Sequence, residues 1–307
     1  MKRRTYKESK SIAGRQLNLM ALPGIVHVLI FNYLPMVGLI LAFKKFNPNL
    51  GIFRSEWVGL ANFRFFFMSK DFGMLMRNTL AYAFWFLLVD NFFAILLAVL
   101  FYYVRNQKAL KYFQTTCILP VFMSMVLISY IVYIFLNPAN GLMTQLITSL
   151  GGKKINWYTE AAYWPGILTI VRIWSNVGYG SLIYYATMVG IDESLFEAAK
   201  MDGAGKWKQI VHIIIPEIMS LLCMKLIMGV GYALGGDFGL FYQVPRNVGA
   251  LYETTDIFNT YVFRALKTGN SMGRTTAVGL FQSLAGTILL LLVNGIIKKI
   301  DDEKSMF

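Results

Sequence analysis

The stretch Glu197–Pro216, EAAKMDGAGKWKQIVHIIIP, is the longest interval of mixed polarity between two strongly apolar segments. Ser194, three residues before Glu197, predicts a capping box in which hydroxyl and carboxylate each accept a hydrogen bond from a backbone N–H. Asp202-Gly203 predicts the end of this helix, because glycine adopts left-handed backbone angles without a Cβ clash. A second helix follows the turn. The stretch is therefore predicted to form a helical hairpin between two apolar segments.

The composition of the chain is that of a membrane protein. Of its 307 residues, 56% are hydrophobic and only 15% are charged, which predicts a polytopic membrane protein. The net charge is +13, but no basic block is interleaved with aromatic residues, so a nucleic-acid partner is not expected. Cys117 and Cys223 lie far apart within apolar runs, so neither a disulfide framework nor a metal site is predicted.

Six apolar segments are each long enough to cross ~30 Å of hydrocarbon. We predict an all-α transmembrane domain over residues 20–298, with a kink at Pro35 and another at Pro120. The predicted spans are residues 20–43, 78–104, 112–136, 161–189, 216–234 and 275–297, with the hairpin segment at 190–216.

The distribution of lysine and arginine predicts the orientation of these spans. Residues 1–19 carry six basic side chains and a single glutamate, which indicates a cytoplasmic tail, and residues 299–307 form a second one. The segments 44–77, 137–160 and 235–272 are then external. Both termini are expected in the cytoplasm.

The hairpin stretch also carries a family resemblance. Glu197-Ala198-Ala199 and Asp202-Gly203-Ala204, followed by Ile213 and Pro216, resemble the EAA loop of the membrane-spanning subunits of bacterial ABC importers. The stretches Leu22–Phe46, Trp57–Phe67 and Thr254–Ala265 are similar to the oligosaccharide permeases of the maltose type. The resemblance implies a type I ABC importer permease fold with six transmembrane helices in the bacterial cell membrane.

In that family the loop is a coupling helix that docks on a cytoplasmic ATPase subunit. The resemblance therefore implies that coupling contacts are made by Glu197, Ala198, Ala199, Asp202, Gly203 and Ala204. It also implies the partners: a second homologous permease subunit, two ATPase subunits, an extracytoplasmic sugar-binding protein, a saccharide substrate and membrane lipid.

Enzymatic activity is not expected in this chain. Gly205-Lys206 lacks the upstream glycine of a phosphate-binding loop and is followed by Trp207. The chain is therefore predicted to bind no cofactor or metal itself, with ATP and Mg held by the partner ATPase.

Charged residues inside the predicted spans are the main candidates for a site. Asp90, Arg172 and Lys225 lie well inside spans two, four and five, where an ionised group costs at least ~2.5–3.5 kcal/mol. An Asp90–Arg172 or an Asp90–Lys225 pair would offset this cost, and the sequence leaves the choice open. A structural ion pair is the favoured interpretation, and a polar lining of a translocation path is the alternative.

Span four also contains a mixture of side chains that is typical of sugar sites. Trp174 and Tyr179 offer flat apolar faces, and Asn176 between them offers a hydrogen-bonding amide. Packing is the commoner role of such aromatic residues in a span. Further along, four glycines would permit close helix contact or local unwinding around a path: Gly229, Gly231, Gly235 and Gly236.

Two other classes of membrane protein are alternatives to the importer: a secondary transporter or channel, and a membrane-embedded transferase. A secondary transporter or channel without an ATPase would show internal repeats or a filter-like glycine motif, and neither is found. A membrane-embedded transferase would show clustered acidic residues at an interface, but the one acidic cluster is Asp301-Asp302-Glu303 at the C-terminal end. The uncoupled transporter is kept as the alternative.

Overall fold

The structure is a computed structural model and describes residues 18–232, 234–269 and 272–300. Most of the two predicted tails lies outside these residues. Contacts divide the chain into one unit of Met1–Phe67 with Thr268–Leu280 and a second unit of Met68–Lys267 with Phe281–Phe307. The elements are helices apart from one two-stranded ribbon in the described ranges, so the all-α prediction is confirmed.

The first unit begins with helix α1 (Asn18–Phe43). Its pitch changes at a π-helical turn, Leu29–Tyr33, and again in the 3-10 stretch Leu34–Phe43 that begins beside Pro35. Proline lacks the N–H that continues an α-helical ladder, and the change of pitch occurs where a kink was predicted.

A compact loop structure follows α1. Strands β1 (Lys44–Lys45) and β2 (Glu56–Trp57) pair antiparallel around α2 (Gly51–Arg54), and α3 (Ala61–Phe67) completes the segment. The buried side chain of Asn62 donates hydrogen bonds to the carbonyls of Ala42 and Lys44 at 2.9 and 3.0 Å. This amide connects α3 to the end of α1 and to the first strand of the ribbon.

The second unit contains the remaining helices. They are α4 (Lys70–Tyr102), α5 (Gln107–Ile118), α6 (Met125–Leu136), α7 (Leu142–Ser149), α8 (Trp164–Val189), α9 (Glu193–Met201), α10 (Lys206–Gln209), α11 (Ile215–Gly231), α12 (Phe238–Gln243), α13 (Tyr252–Thr255), α14 (Phe258–Lys267) and α15 (Met272–Ile300), whose part before Phe281 belongs to the first unit.

Within residues 18–232, 234–269 and 272–300, four continuous helices are long and apolar enough to cross a membrane: Asn18–Phe43, Lys70–Tyr102, Lys206–Gly231 and Met272–Lys299. Helices α5 and α6 make a fifth span only as a pair bent by 101°. The bend lies at Pro120, where a kink was predicted: the proline interrupts the ladder, and Ser124 caps a new helix, accepting from Leu127 N at 3.3 Å. Helix α8 has 26 residues, or ~39 Å, which is long enough to cross a membrane. Because it contains several polar residues, it is less apolar than the four helices above.

Two helix boundaries also differ from those predicted. Helix α4 begins at Lys70 rather than near residue 78. The helix that contains the fifth predicted span begins at Lys206 rather than at Pro216, since a π-helical turn at Ile210–Ile214 joins α10 to α11. The wider turn ends just before Pro216, at a point where the missing N–H can be tolerated.

Apolar packing between α4 and α8 occurs in two clusters. One contains Tyr82 and Phe86 of α4 with Trp164 and Leu168 of α8. The other contains residues nearer the C-terminal ends of both helices, including Ala94, Ala98, Tyr184 and Met188. Asp90 and Arg172 lie in sequence between these clusters, so the two helices carry their charged residues where apolar packing is interrupted.

Candidate functional site

A cavity of about 620 Å³ lies at this interruption, within the second unit. Its walls come from α4, α8, α11 and the segment leading into α12, and its volume is within the ~300–1,000 Å³ typical of ligand sites. Four charged side chains line it: Asp90, Arg172, Lys225 and Asp237. The cavity therefore collects the three intramembrane charges noted in the sequence and adds a fourth.

Arg172 forms ion pairs with two carboxylates. Its Nη2 lies 2.9 Å from Asp90 Oδ2, and its Nη1 lies 2.8 Å from Asp237 Oδ2. About a quarter of each of the three side chains is exposed. Of the two pairings left open by the sequence, the structure has the one with Arg172.

Asp237 is the site residue that sequence reasoning missed, because residues 235–272 were assigned to an external segment. Its Oδ1 accepts a hydrogen bond from Leu240 N at 3.0 Å and so caps α12, while its Oδ2 binds Arg172. The available signal was Gly235-Gly236-Asp237, two glycines at a helix end followed by a residue favoured as an N-cap.

Lys225 stands apart from these ion pairs. Its ammonium group lies 4.5 Å from the centroid of the Tyr184 ring. No carboxylate oxygen of residues 18–232, 234–269 or 272–299 is within 4.0 Å of it. The Tyr184 hydroxyl donates to Asn91 Oδ1 at 2.7 Å, which holds the ring in position beneath the cation.

The predicted sugar-binding residues of α8 do not all face the cavity. Asn176 and Tyr179 line it together with Arg172, as expected for positions spaced by four and three residues on a helix. Trp174 is not among the lining residues, and 41% of it is exposed elsewhere. Two positions along a helix rotate a side chain by ~200° from Arg172, and a role for Trp174 in the path stays a prediction.

Aromatic side chains cover much of the remaining wall. They are Tyr82, Phe86, Tyr179, Tyr232, Phe238 and Phe241. Helix α11 ends at Gly231, next to these residues, and a turn leads on to Asp237. Flat apolar rings beside amide and charged groups can stack on sugar rings and bond their hydroxyls, which is the chemistry expected of a saccharide path.

The predicted hairpin is present as α9, a turn and α10, but its cap differs. Helix α9 begins at Glu193, and its N-cap is Asp192, whose Oδ1 accepts from Ser194 N at 2.9 Å. This hydrogen bond lowers the pKa of Asp192. The predicted capping box of Ser194 and Glu197 was wrong, because the aspartate two residues earlier takes the same role and places Ser194 inside the helix.

The turn of the hairpin follows the prediction. Gly203 has a φ of +74°. Gly203 N donates to Lys200 O at 3.0 Å, and Ala204 N donates to Ala199 O at 2.8 Å. These are the hydrogen bonds of a left-handed C-terminal cap, which glycine adopts without steric cost.

The hairpin surface contains exposed apolar side chains. Phe196 is only 5% exposed, and its ring centroid lies 5.7 Å from that of Tyr102. Leu195, Met201 and Trp207 are exposed by 44%, 89% and 75%. Of the residues predicted to couple, Glu197, Ala198, Asp202 and Gly203 are exposed, and Ala199 and Ala204 are half-buried.

Among the residues that the structure describes, no group of three or more histidine, cysteine, aspartate or glutamate side chains could hold a metal ion.

Comparison with known proteins gives a consistent result. Residues 90–302 match the family described as the binding-protein-dependent transport system inner membrane component. Protein LplB of Bacillus subtilis is 37% identical over 94% of this chain and 90% of its own length. The polygalacturonan/rhamnogalacturonan transport system permease protein YteP of the same organism is also 37% identical, over 96% of this chain and 91% of its own.

Solved structures show the same likeness. A chain of a bacterial ABC transporter involved in the import of the acidic polysaccharide alginate superposes with a TM-score of 0.86 at 30% identity. The match covers 97% of this chain and 99% of that one. A bacterial alginate ABC transporter in complex with an alginate pentasaccharide-bound periplasmic protein gives 0.86 at 29% identity, over 95% and 97%.

Proposed function

This chain belongs to the family of binding-protein-dependent transport system inner membrane components, and we propose that it forms half of the path by which an oligosaccharide crosses the membrane. It is a multi-pass permease subunit of an ABC importer, a transport component rather than an enzyme. Family and structural likeness favour this function over the secondary transporter or channel considered from the sequence.

The observation that carries the proposal is the cavity around Asp90, Arg172 and Lys225. Its aromatic wall supplies stacking surfaces, and Asn176 and the charged side chains supply hydrogen bonds for hydroxyl groups. A second copy of such a cavity, on the homologous partner permease, would complete a path between the two subunits. The relatives named for polygalacturonan and alginate transport support a saccharide as the substrate.

Coupling to ATP is assigned to the hairpin. Exposed Leu195, Met201 and Trp207 surround the EAA residues and provide an apolar surface for a partner. We propose that this surface docks on one of two ATPase subunits, which hold ATP and Mg. The hairpin then lies in the cytoplasm, with both termini on the same side, and a saccharide-binding protein delivers substrate from the opposite side.

The test begins with the assembled complex. Affinity purification of the tagged chain from its own cell should recover a second permease and an ATPase, identified by mass spectrometry. After reconstitution into liposomes, the ATPase rate should rise several-fold on addition of saccharide-loaded binding protein. Uptake of labelled oligosaccharide should then require hydrolysable ATP.

Uptake that continues without ATP but stops when an ion gradient is dissipated would contradict the proposal and favour the uncoupled transporter. Recovery of the chain without any ATPase, under conditions that keep the membrane complex intact, would remove the coupling role of the hairpin.

A further inference from the structure

Lys225 is the cation of the cavity that has no carboxylate partner among the described residues. Arg172 engages both lining carboxylates, Asp90 and Asp237, at 2.9 and 2.8 Å. Both carboxylates of the cavity wall are therefore bound by Arg172. The ammonium group of Lys225 also lines the cavity but forms no ion pair with either of them.

The surroundings of Lys225 satisfy its charge only in part. The ring of Tyr184 offers a cation–π contact at 4.5 Å but no hydrogen-bond acceptor to the three N–H donors of an ammonium. A half-buried cation at this depth is costly unless an anion or acceptor reaches it.

The two oxygens of the neighbouring Asp90 are not available to a ligand. Oδ1 of Asp90 is buried and has no hydrogen-bond partner within the described part of the chain, whereas Oδ2 binds Arg172. A buried acceptor without a donor is also unfavourable. Asp90 therefore presents no accessible acceptor to a ligand, and the Lys225 ammonium is the charged group in the cavity wall that is left to bind a carboxylate.

We propose that Lys225 is the anchoring point for a carboxylate of the substrate, so that this subunit's half of the path is built for an acidic oligosaccharide containing uronic acid residues. The inference rests on the proposed transport function and names the substrate class of the same cavity. The uronate carboxylate accepts hydrogen bonds from Lys225 Nζ. The likeness to an importer of the acidic polysaccharide alginate agrees with this assignment.

The experiment compares charged and neutral substrates in the reconstituted complex. The probes are tetrasaccharides of galacturonate and of alginate, each paired with its carboxyl-reduced neutral form, and the readout is saccharide-stimulated ATP hydrolysis. Lys225→Gln should raise the half-saturating concentration of the acidic probe at least about tenfold, or 1.4 kcal/mol. Lys225→Arg should retain most of the response, and the matched control Lys111→Gln, an exposed cation on α5, should retain all of it.

A second measurement uses the unaltered protein, in case Lys225→Gln fails to assemble. An acidic tetrasaccharide whose uronate has first been activated with a carbodiimide should form an amide with Lys225, releasing the urea. Mass spectrometry of the digested chain locates this amide. An excess of the same tetrasaccharide that has not been activated should suppress amide formation.

The outcomes separate this inference from the function on which it rests. No stimulation of wild type by any probe would reject both. Stimulation by neutral probes alone, an unaltered acidic response in Lys225→Gln, or an adduct elsewhere in the chain would overturn the role of Lys225 and leave the importer function standing.

Discussion

Arg172 is the side chain through which three elements of the second unit meet. Its guanidinium binds Asp90 of α4 and Asp237 at the start of α12 while the residue itself belongs to α8. A planar group with five donors can serve two carboxylates at once, which a lysine ammonium at this position would do less well. The expected effect of removing one carboxylate is therefore smaller than for an isolated ion pair.

We predict that Asp90→Asn alone lowers stability only modestly, because Arg172 keeps Asp237. The double variant Asp90→Asn/Asp237→Asn should cost about 3–5 kcal/mol, since it leaves a buried guanidinium without a counter-charge. The measurement is thermal unfolding of the detergent-solubilised complex for both single variants and the double variant.

Arg172→Met in the double-variant background serves as the control and should recover part of the loss, since it removes the unpaired charge. Strictly additive effects of the two aspartate changes would show that Arg172 does not couple them.

At the scale of elements, the hairpin depends on its turn and on its attachment to the helices behind it. Gly203 has a left-handed backbone, whereas Gly205, two residues on, has a φ of −68°. A Cβ at either glycine would meet no other atom within 4 Å. The two positions therefore differ in backbone conformation and not in available space.

We predict that Gly203→Leu weakens binding of the ATPase and lowers saccharide-stimulated hydrolysis, while the permease still inserts in the membrane. The left-handed conformation costs a residue with a Cβ roughly 1 kcal/mol or more, which favours a different path for the chain between α9 and α10. ATPase recovery by affinity purification and the hydrolysis rate measure the effect.

Gly205→Leu is the matched control, because its backbone angle suits any residue, and it should leave helix geometry unchanged. Equal losses in both variants would point to contact at the turn surface rather than to backbone strain. Full binding and coupling in Gly203→Leu would show that the hairpin is only a linker.

At the scale of the whole molecule, the proposed orientation places the beginning of α5 with the hairpin in the cytoplasm and α7 on the opposite side. Lys108 and Ser149 are both exposed, so each can report its side of the membrane. We predict that Ser149→Cys reacts with an impermeant maleimide in intact cells, and that Lys108→Cys reacts only after permeabilisation.

Both cysteines are introduced into a variant in which Cys117 and Cys223 are replaced, because these two thiols are free and only half-buried. Equal labelling of both engineered cysteines in intact cells would reject the proposed topology.

The sequence by itself determined the features that depend on neighbouring residues. Long apolar runs identified the membrane class and most of the helices, because the cost of exposing polar backbone or side chains to lipid is local. The turn at Gly203 was predicted for the same reason, since its φ of +74° follows from the end of one helix. The EAA pattern pointed to the family that the comparisons show.

Only the tertiary structure decided which distant groups meet. Asp90 pairs with Arg172 rather than Lys225, and Asp237 joins them from a segment that was predicted to be external. Trp174 faces away from the cavity that Asn176 and Tyr179 line. These outcomes depend on how α4, α8 and α11 rotate and cross, which is set by packing along their whole lengths and therefore cannot be read from the spacing of residues within one helix.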